Sequence, residues 1–241
     1  MKRYIRSAVR SMSDEDTLTK MEMAASQVRP EILRELANSE AFVVQSMVAH
    51  NPNTPVDVLQ QLAEDDYEPT RTEVARNPKL SKEILAKLAE DPSSRVRGIV
   101  AINPSTPLRI LSKLAGDHEW TVRKAVLENP KASSSIVERI AKNDLDLAYK
   151  AVSHPNCPHI IAEKLADMTW SRDRASLADI PACPPDILTQ LAHDEVREVQ
   201  VAAICNENIP IETLQEFIDN EDYILRENAK AALRRRGIEV E

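Results

Sequence analysis

Asn-Pro returns on a fixed beat along this chain. It stands at Asn51-Pro52, Asn77-Pro78, Asn103-Pro104 and Asn129-Pro130, 26 residues apart each time. The phase continues as His154-Pro155 after a one-residue deletion, then as Ile180-Pro181 and Asn206-Glu207, and reaches back to a degenerate copy near Ala25. The flanks repeat with it, as in NPNTPVDVLQQLAEDD, NPKLSKEILAKLAEDP, NPSTPLRILSKLAGDH and IPACPPDILTQLAHDE. A period of this length means that one supersecondary unit is copied and stacked.

Each copy reads as two helices. Thr54-Pro55-Val56-Asp57 offers a capping hydroxyl, a proline for the first helical position and an acid at the third, and Thr106-Pro107 repeats that start. The apolar residues then fall at i, i+1, i+4 and i+5: Val58, Leu59, Leu62, Ala63; Ile84, Leu85, Leu88, Ala89; Ile110, Leu111, Leu114, Ala115. That spacing is one face of a helix. A second start is predicted at Ser39, Asp65, Asp91, Asp117, Asn143, Asp194 and Asn220, all residue types that accept hydrogen bonds from free helix N–H groups, with Met168 in the remaining copy. The second helix carries Val44, Val96, Val122, Val199 and Leu225 in one core column and Val48, Val74, Val100, Val126 and Val152 in another. The next Asn-Pro ends it, because a residue before proline avoids the α region. Helices of about ten residues are marginal alone. Stacking of neighbouring copies supplies the missing burial. The expected organisation is an N-terminal cap over 1–24, a repeat array over 25–233, and a C-terminal cap and tail over 234–241, where Arg234-Arg235-Arg236-Gly237 suits a helix end.

Composition narrows the function. Three glycines (Gly98, Gly116, Gly237) cannot build a phosphate-cradling loop, and eight aromatics in 241 residues are few for an aromatic-lined small-molecule pocket. A net charge of −8 disfavours whole-molecule attraction to nucleic acid or anionic lipid. The three cysteines, Cys157, Cys183 and Cys205, form no disulfide framework and suit a reducing, cytoplasmic setting. No apolar run approaches the roughly 18 residues that span a membrane. Met1–Met12 is basic and acid-free, a trace of an organellar presequence that Asp14, Glu15 and Asp16 interrupt.

The pattern N-P-x-T-P-x-x-x-L-x-x-L-A-x-D followed by V-R-x-x-V-A, as in Asn103–Val126, resembles the leucine-rich repeat variant family over residues 25 to 233. The resemblance implies short paired helices, one of which can be 3₁₀, stacked in a right-handed superhelix. Some members hold an N-terminal iron–sulfur cluster on clustered cysteines. This chain has no cysteine before Cys157, so that cofactor is expected to be absent. The Asp-x5-Arg spacing (Asp91 to Arg97, Asp117 to Arg123) is similar to HEAT repeats, where the two residues knit neighbouring turns. A branch of HEAT-like proteins excises alkylated DNA bases, but no catalytic residue of that branch finds a match here.

Three constellations could carry function. Arg71, Arg97, Arg123, Arg174 and Arg226 recur at one position of the second helix, interrupted by Gln45, Tyr149 and Gln200. Stacked at roughly 10 Å intervals, they would track a phosphate backbone or grip an acidic partner; paired with the recurring aspartates, they would stiffen the stack instead. Phe42, Tyr67, Trp120, Trp170 and Tyr223 share a phase at the start of the second helix. Exposed, they would anchor a partner or stack on bases; turned inward, they would staple the loop. His154, Cys157 and His159, with Cys183 in the phase of Cys157, are suitable zinc ligands, yet the layers separate them and the two cysteines fit the threonine position at the start of the first helix. The five histidines and the paired carboxylates show no nucleophile or acid–base frame.

These observations predict an all-α, right-handed superhelical solenoid of about eight 26-residue two-helix repeats. Its expected role is a non-catalytic interaction module presenting one long face to a protein partner. The alternative is nucleic-acid binding along the arginine column. No cofactor, metal, membrane or small-molecule substrate is expected. Asp173 replaces the core valine of its copy, between Arg172 and Arg174. Broken local patterns gather at functional sites, so Trp170, Arg172 and Arg174 join Arg71, Arg97 and Arg123 of the arginine column and Trp120 of the aromatic phase as the candidate partner-binding residues.

Overall fold

The computed structural model describes residues 15–25 and 29–240, and among these every regular element is an α-helix, seventeen in all. The basic opening stretch Met1–Met12 lies outside the described residues. The chain forms two compact units, Met1–Ala132 and Ser133–Glu241. The repeat array is thus built in two parts, and their boundary adjoins the one-residue deletion between Asn129 and His154.

In the first unit the first helices are Pro30–Leu36, Val56–Leu62, Lys82–Leu88 and Leu108–Leu114. The second helices are Phe42–His50, Glu68–Arg76, Ser94–Ile102 and Trp120–Val126, preceded by Glu15–Ala25, which packs on Phe42–His50 in the same manner. Each second helix lies against the next, forming a close-packed spine, while the first helices stand to one side and contact the second helices flanking them. In the second unit the pairs are Ser134–Asn143 with Leu145–Val152, His159–Ala166 with Ser171–Ala178, Pro185–Ala192 with Arg197–Cys205, and Ile211–Glu216 with Tyr223–Arg235. Eight pairs match the expected repeats, and both members of each pair are α-helical.

The core is the predicted apolar columns. Leu59, Leu85, Leu111 and Leu188 are fully buried, as are Val48, Val74, Val100, Val122 and Val199. A buried leucine stabilises by about 1.5–3 kcal/mol, so each short helix owes its stability to the neighbours that cover it.

The helix starts differ from expectation by one or two residues. Pro55 and Pro107, rather than the threonines before them, take the N-cap position with extended backbone. The buried Thr54 Oγ1 instead donates to the Val48 carbonyl at 2.5 Å, and Thr106 Oγ1 to that of Val100 at 2.6 Å. Proline can cap without leaving a free donor, which releases the threonine to tie the turn to the preceding helix. Asp65, Asp91, Asp117 and Asp194 also stand ahead of the helix ends. Each accepts the backbone N–H two residues on, at 2.8 to 3.0 Å, in an Asx turn. The helices begin afterwards, at Glu68, Ser94, Trp120 and Arg197. Asn143 ends a first helix, and Asp144 caps the helix that follows it.

The last helix exits through Gly237 at φ 77°, a left-handed conformation that favours glycine. Arg236 folds back and donates to the carbonyls of Asn206, Glu207 and Ile209. The triple arginine is in this respect an end cap.

Candidate functional site

The recurring arginines turn inward. Arg97 donates from Nε and Nη2 to both oxygens of Asp117, one repeat on, at 2.7 and 2.9 Å, and from Nη1 to the carbonyls of Asp91 and Pro92. Arg71 does the same with Asp91 and the carbonyls of Asp65 and Asp66. Arg174 pairs with Asp194 and the carbonyls of Met168 and Thr169. Arg123 and Arg226 donate to the corresponding carbonyls, those of Asp117 and His118 and of Asn220 and Glu221. Arg97 and Arg174 are buried and Arg71 is nearly so. The bidentate pair has a simple origin: the Asx turn fixes the carboxylate, and the planar guanidinium matches it. Hydrogen bonding by Asp194 raises Arg174 above its ordinary value, and Arg174 in turn holds Asp194 below the usual carboxylate range. Burial opposes ionisation of Asp117, but the Arg97 and Glu119 N–H hydrogen bonds outweigh it and leave that carboxyl lowered. Arg71, Arg97 and Arg174 therefore stiffen the stack from within. These guanidinium donors already have partners within the stack.

A second seam escaped the sequence reading. Asn77, Asn103, Asn129 and Asn206 are buried, and each Nδ2 donates to two carbonyls of the preceding repeat. Each Oδ1 accepts the N–H two residues on. Ending a helix before proline does not require asparagine, so its recurrence was the available signal. His154, also buried, makes the same accepting contact: its Nδ1 takes the Asn156 N–H at 3.0 Å.

The phased aromatics turn outward. Trp120 is 53% exposed, Trp170 73% and Tyr223 67%. Phe42 and Tyr67 lean together with ring centroids 4.3 Å apart, still partly exposed. Lys124 Nζ lies 5.7 Å from the Trp120 ring centroid, a cation–π contact. In the second unit Arg172 is exposed beside Trp170, and Tyr149 Oη donates to the Asp173 carbonyl at 3.2 Å where the core valine is missing.

In the first unit, helices Ser94–Ile102 and Trp120–Val126 leave an open groove of about 410 Å³ between them. Trp120, Ile99 and Ile102 form its apolar walls, Gly98 lies in its floor, and Arg95, Lys124 and Glu128 stand at its rim. A methyl group built on Gly98 would lie 3.9 Å from the Ala125 Cβ, ordinary contact distance, so packing does not require glycine there. Sequence reasoning reached Trp120 through its phase; Arg95 shares its phase with Arg172, and Lys124 with Gly98 and Lys150, but these columns are too irregular to have given a signal.

Cys183 and Cys157 occupy the buried threonine position, and burial pushes their thiols up to about 12 and about 11. Among the described residues no three His, Cys, Asp or Glu side chains gather as a metal site. No described helix is long and apolar enough to cross a membrane.

No protein-family model matches the chain, and no curated protein matches it. Among solved structures, it shares the fold of a leucine-rich repeat variant with a novel repetitive structural motif, at TM-score 0.61 and 23% identity over 85% of this chain and 82% of that one. A designed armadillo repeat protein aligns over 92% of this chain and 94% of its own at 18% identity, but with a TM-score of 0.25. The helical-repeat fold is therefore that of the leucine-rich repeat variants.

Proposed function

We propose that this chain is a non-catalytic interaction module that binds a protein partner through the solvent side of its second helices. One contrast carries the reading: the repeated arginines bond within the stack, Arg97 and Arg174 buried, while bulky aromatic side chains stand in water at the starts of the second helices. Trp and Tyr in such positions suit interface anchors, because a large apolar body is covered at low entropic cost. The same contrast weakens the nucleic-acid alternative. A phosphate backbone needs accessible cations, and Arg71, Arg97 and Arg174 already hold carboxylates.

Photo-crosslinking residues placed at Lys124 and Arg172, with Lys87 on a first helix as control, test this in the cells that make the protein. Protease-sensitive adducts from the first two positions and few from the third are expected. Nuclease-sensitive adducts, or adducts at Lys87 alone, would overturn it.

A further inference from the structure

The groove beside Trp120 has more chemistry than a generic contact surface. Arg95 is exposed and Lys124 half-exposed, and neither forms an ion pair among the described residues. With Glu128 they give the rim two positive charges and one negative, inside a molecule of net charge −8. Opposing charge elsewhere is screened over about 8 Å at physiological salt, so these rim cations govern the potential that a ligand meets on contact. Between them lie apolar walls: Ile102 is 42% and Trp120 53% exposed. The floor is more telling. Glycine inside a helix costs about 1 kcal/mol relative to alanine, and no neighbour forces it at position 98. Gly98 is itself among the residues that line the groove, so the absence of a side chain there leaves the groove deeper.

We propose that this groove takes an extended segment of a partner protein in which an acidic residue stands beside a bulky aliphatic one. The carboxylate would lie between Arg95 and Lys124, and the aliphatic side chain would settle over Gly98 against Trp120 and Ile102. Charge complementarity selects the acid, and the apolar walls select its neighbour. At about 410 Å³ the groove is near the small end of ligand sites, which fits a pair of side chains. The inference rests on the interaction-module reading and gives its partner a chemistry.

Short random peptides displayed on phage and selected on the full chain test it. The expected yield is enriched in Asp or Glu next to Leu, Ile, Val or Met. Gly98→Leu, which fills the floor, should weaken a selected peptide roughly tenfold or more, as loss of a central anchor pocket does. The double variant Arg95→Glu/Lys124→Glu should instead select Lys or Arg at the acidic position. A changed preference cannot come from unfolding, which would only abolish selection, and a matched thermal melt keeps the Gly98→Leu result interpretable. Peptides whose acidic preference survives the double variant would overturn the proposal. Peptides that ignore charge but fail on Trp120→Ala would also overturn it, while leaving the interaction surface standing. Failure to select any peptide, together with adducts at Lys87 alone in the crosslinking experiment, would remove both.

Discussion

Arg95 and Arg97 stand two residues apart on one helix and meet opposite fates. Arg97 recurs in phase along the chain, and its guanidinium is buried between Asp117 and two carbonyls. Arg95 has no counterpart in most copies, and its guanidinium stands at the rim of a groove. In a stacked repeat, a residue that returns every 26 positions meets the same neighbours each time, so recurrence reports the joint between copies. A polar residue that returns in few copies, as Arg95 returns only at Arg172, is free to answer to something outside the repeat. The arginine column looked functional because it was regular. Regularity was the sign of its structural role.

The largest expected difference follows directly. Arg97→Met takes the guanidinium away from the largely buried Asp117 carboxylate, and breaking such a pair costs about 3 kcal/mol or more. Arg95→Met should stay within about 0.5 kcal/mol of the parent, as exposed substitutions usually do. Urea denaturation of both variants checks the contrast, and equal losses would erase it. The same seam should respond to acid. Asp117 and Asp194 titrate below their ordinary values in the folded chain, so their contribution is complete above the unfolded value of about 3.9 and is lost as pH falls through the lower folded value. Parent stability should therefore fall more steeply below about pH 4 than that of an Asp194→Asn variant, whose loss is already complete at neutral pH.

The asparagine seam comes next in size. Asn103→Ala removes one donor to the carbonyls of Ala75 and Asn77 and one acceptor from the Ser105 N–H, all in or beside a buried joint. About 2 kcal/mol is expected from the unsatisfied groups. Asn53→Ala, on an exposed turn of similar composition, should cost far less. Urea midpoints at constant m-value separate the two.

What the sequence disclosed follows the same division. The helix pairs, their order and their apolar faces were legible, because Val48, Val74 and Val100 or Leu59, Leu85 and Leu111 repeat with helical spacing. The register of the helix starts was less so: Asp91 has the chemistry of a cap, but an Asx turn and the Arg71 guanidinium compete for its oxygens. Asn103 was visible only as half of a helix-ending dipeptide, since its carbonyl partners lie 26 and 28 residues back. The groove was not legible beyond Trp120. Arg95, Gly98 and Lys124 meet only when two helices are laid side by side, and no local pattern announces such a meeting.

Gly98 gives a smaller and opposite effect. Because a methyl group fits at ordinary contact distance, Gly98→Ala should raise stability by about 0.5–1 kcal/mol. Glycine at the φ 77° exit, Gly237, should behave in reverse, losing stability on conversion to alanine. If Gly98→Ala destabilised the chain, the floor would belong to the joint rather than to the groove.

The smallest expected effect lies on the outer face of the first helices in the second unit. His159 reaches Asp186 through Nε2 at 2.9 Å and Glu163 through Nδ1 at 2.9 Å, all three side chains well exposed. Hydrogen bonds to Asp186 and then Glu163 raise His159 above its ordinary value. A raised histidine contributes stability that is present below the unfolded value and is lost as pH rises through the folded one. The parent should therefore exceed His159→Gln by a few tenths of a kcal/mol near pH 6 and lose that margin by about pH 8. Solvent screening keeps the margin far below that of the Arg97–Asp117 joint, although both link successive repeats. A histidine contribution as large as the arginine one would mean that burial does not divide joint from surface in this molecule, and the contrast between Arg95 and Arg97 would lose its physical basis.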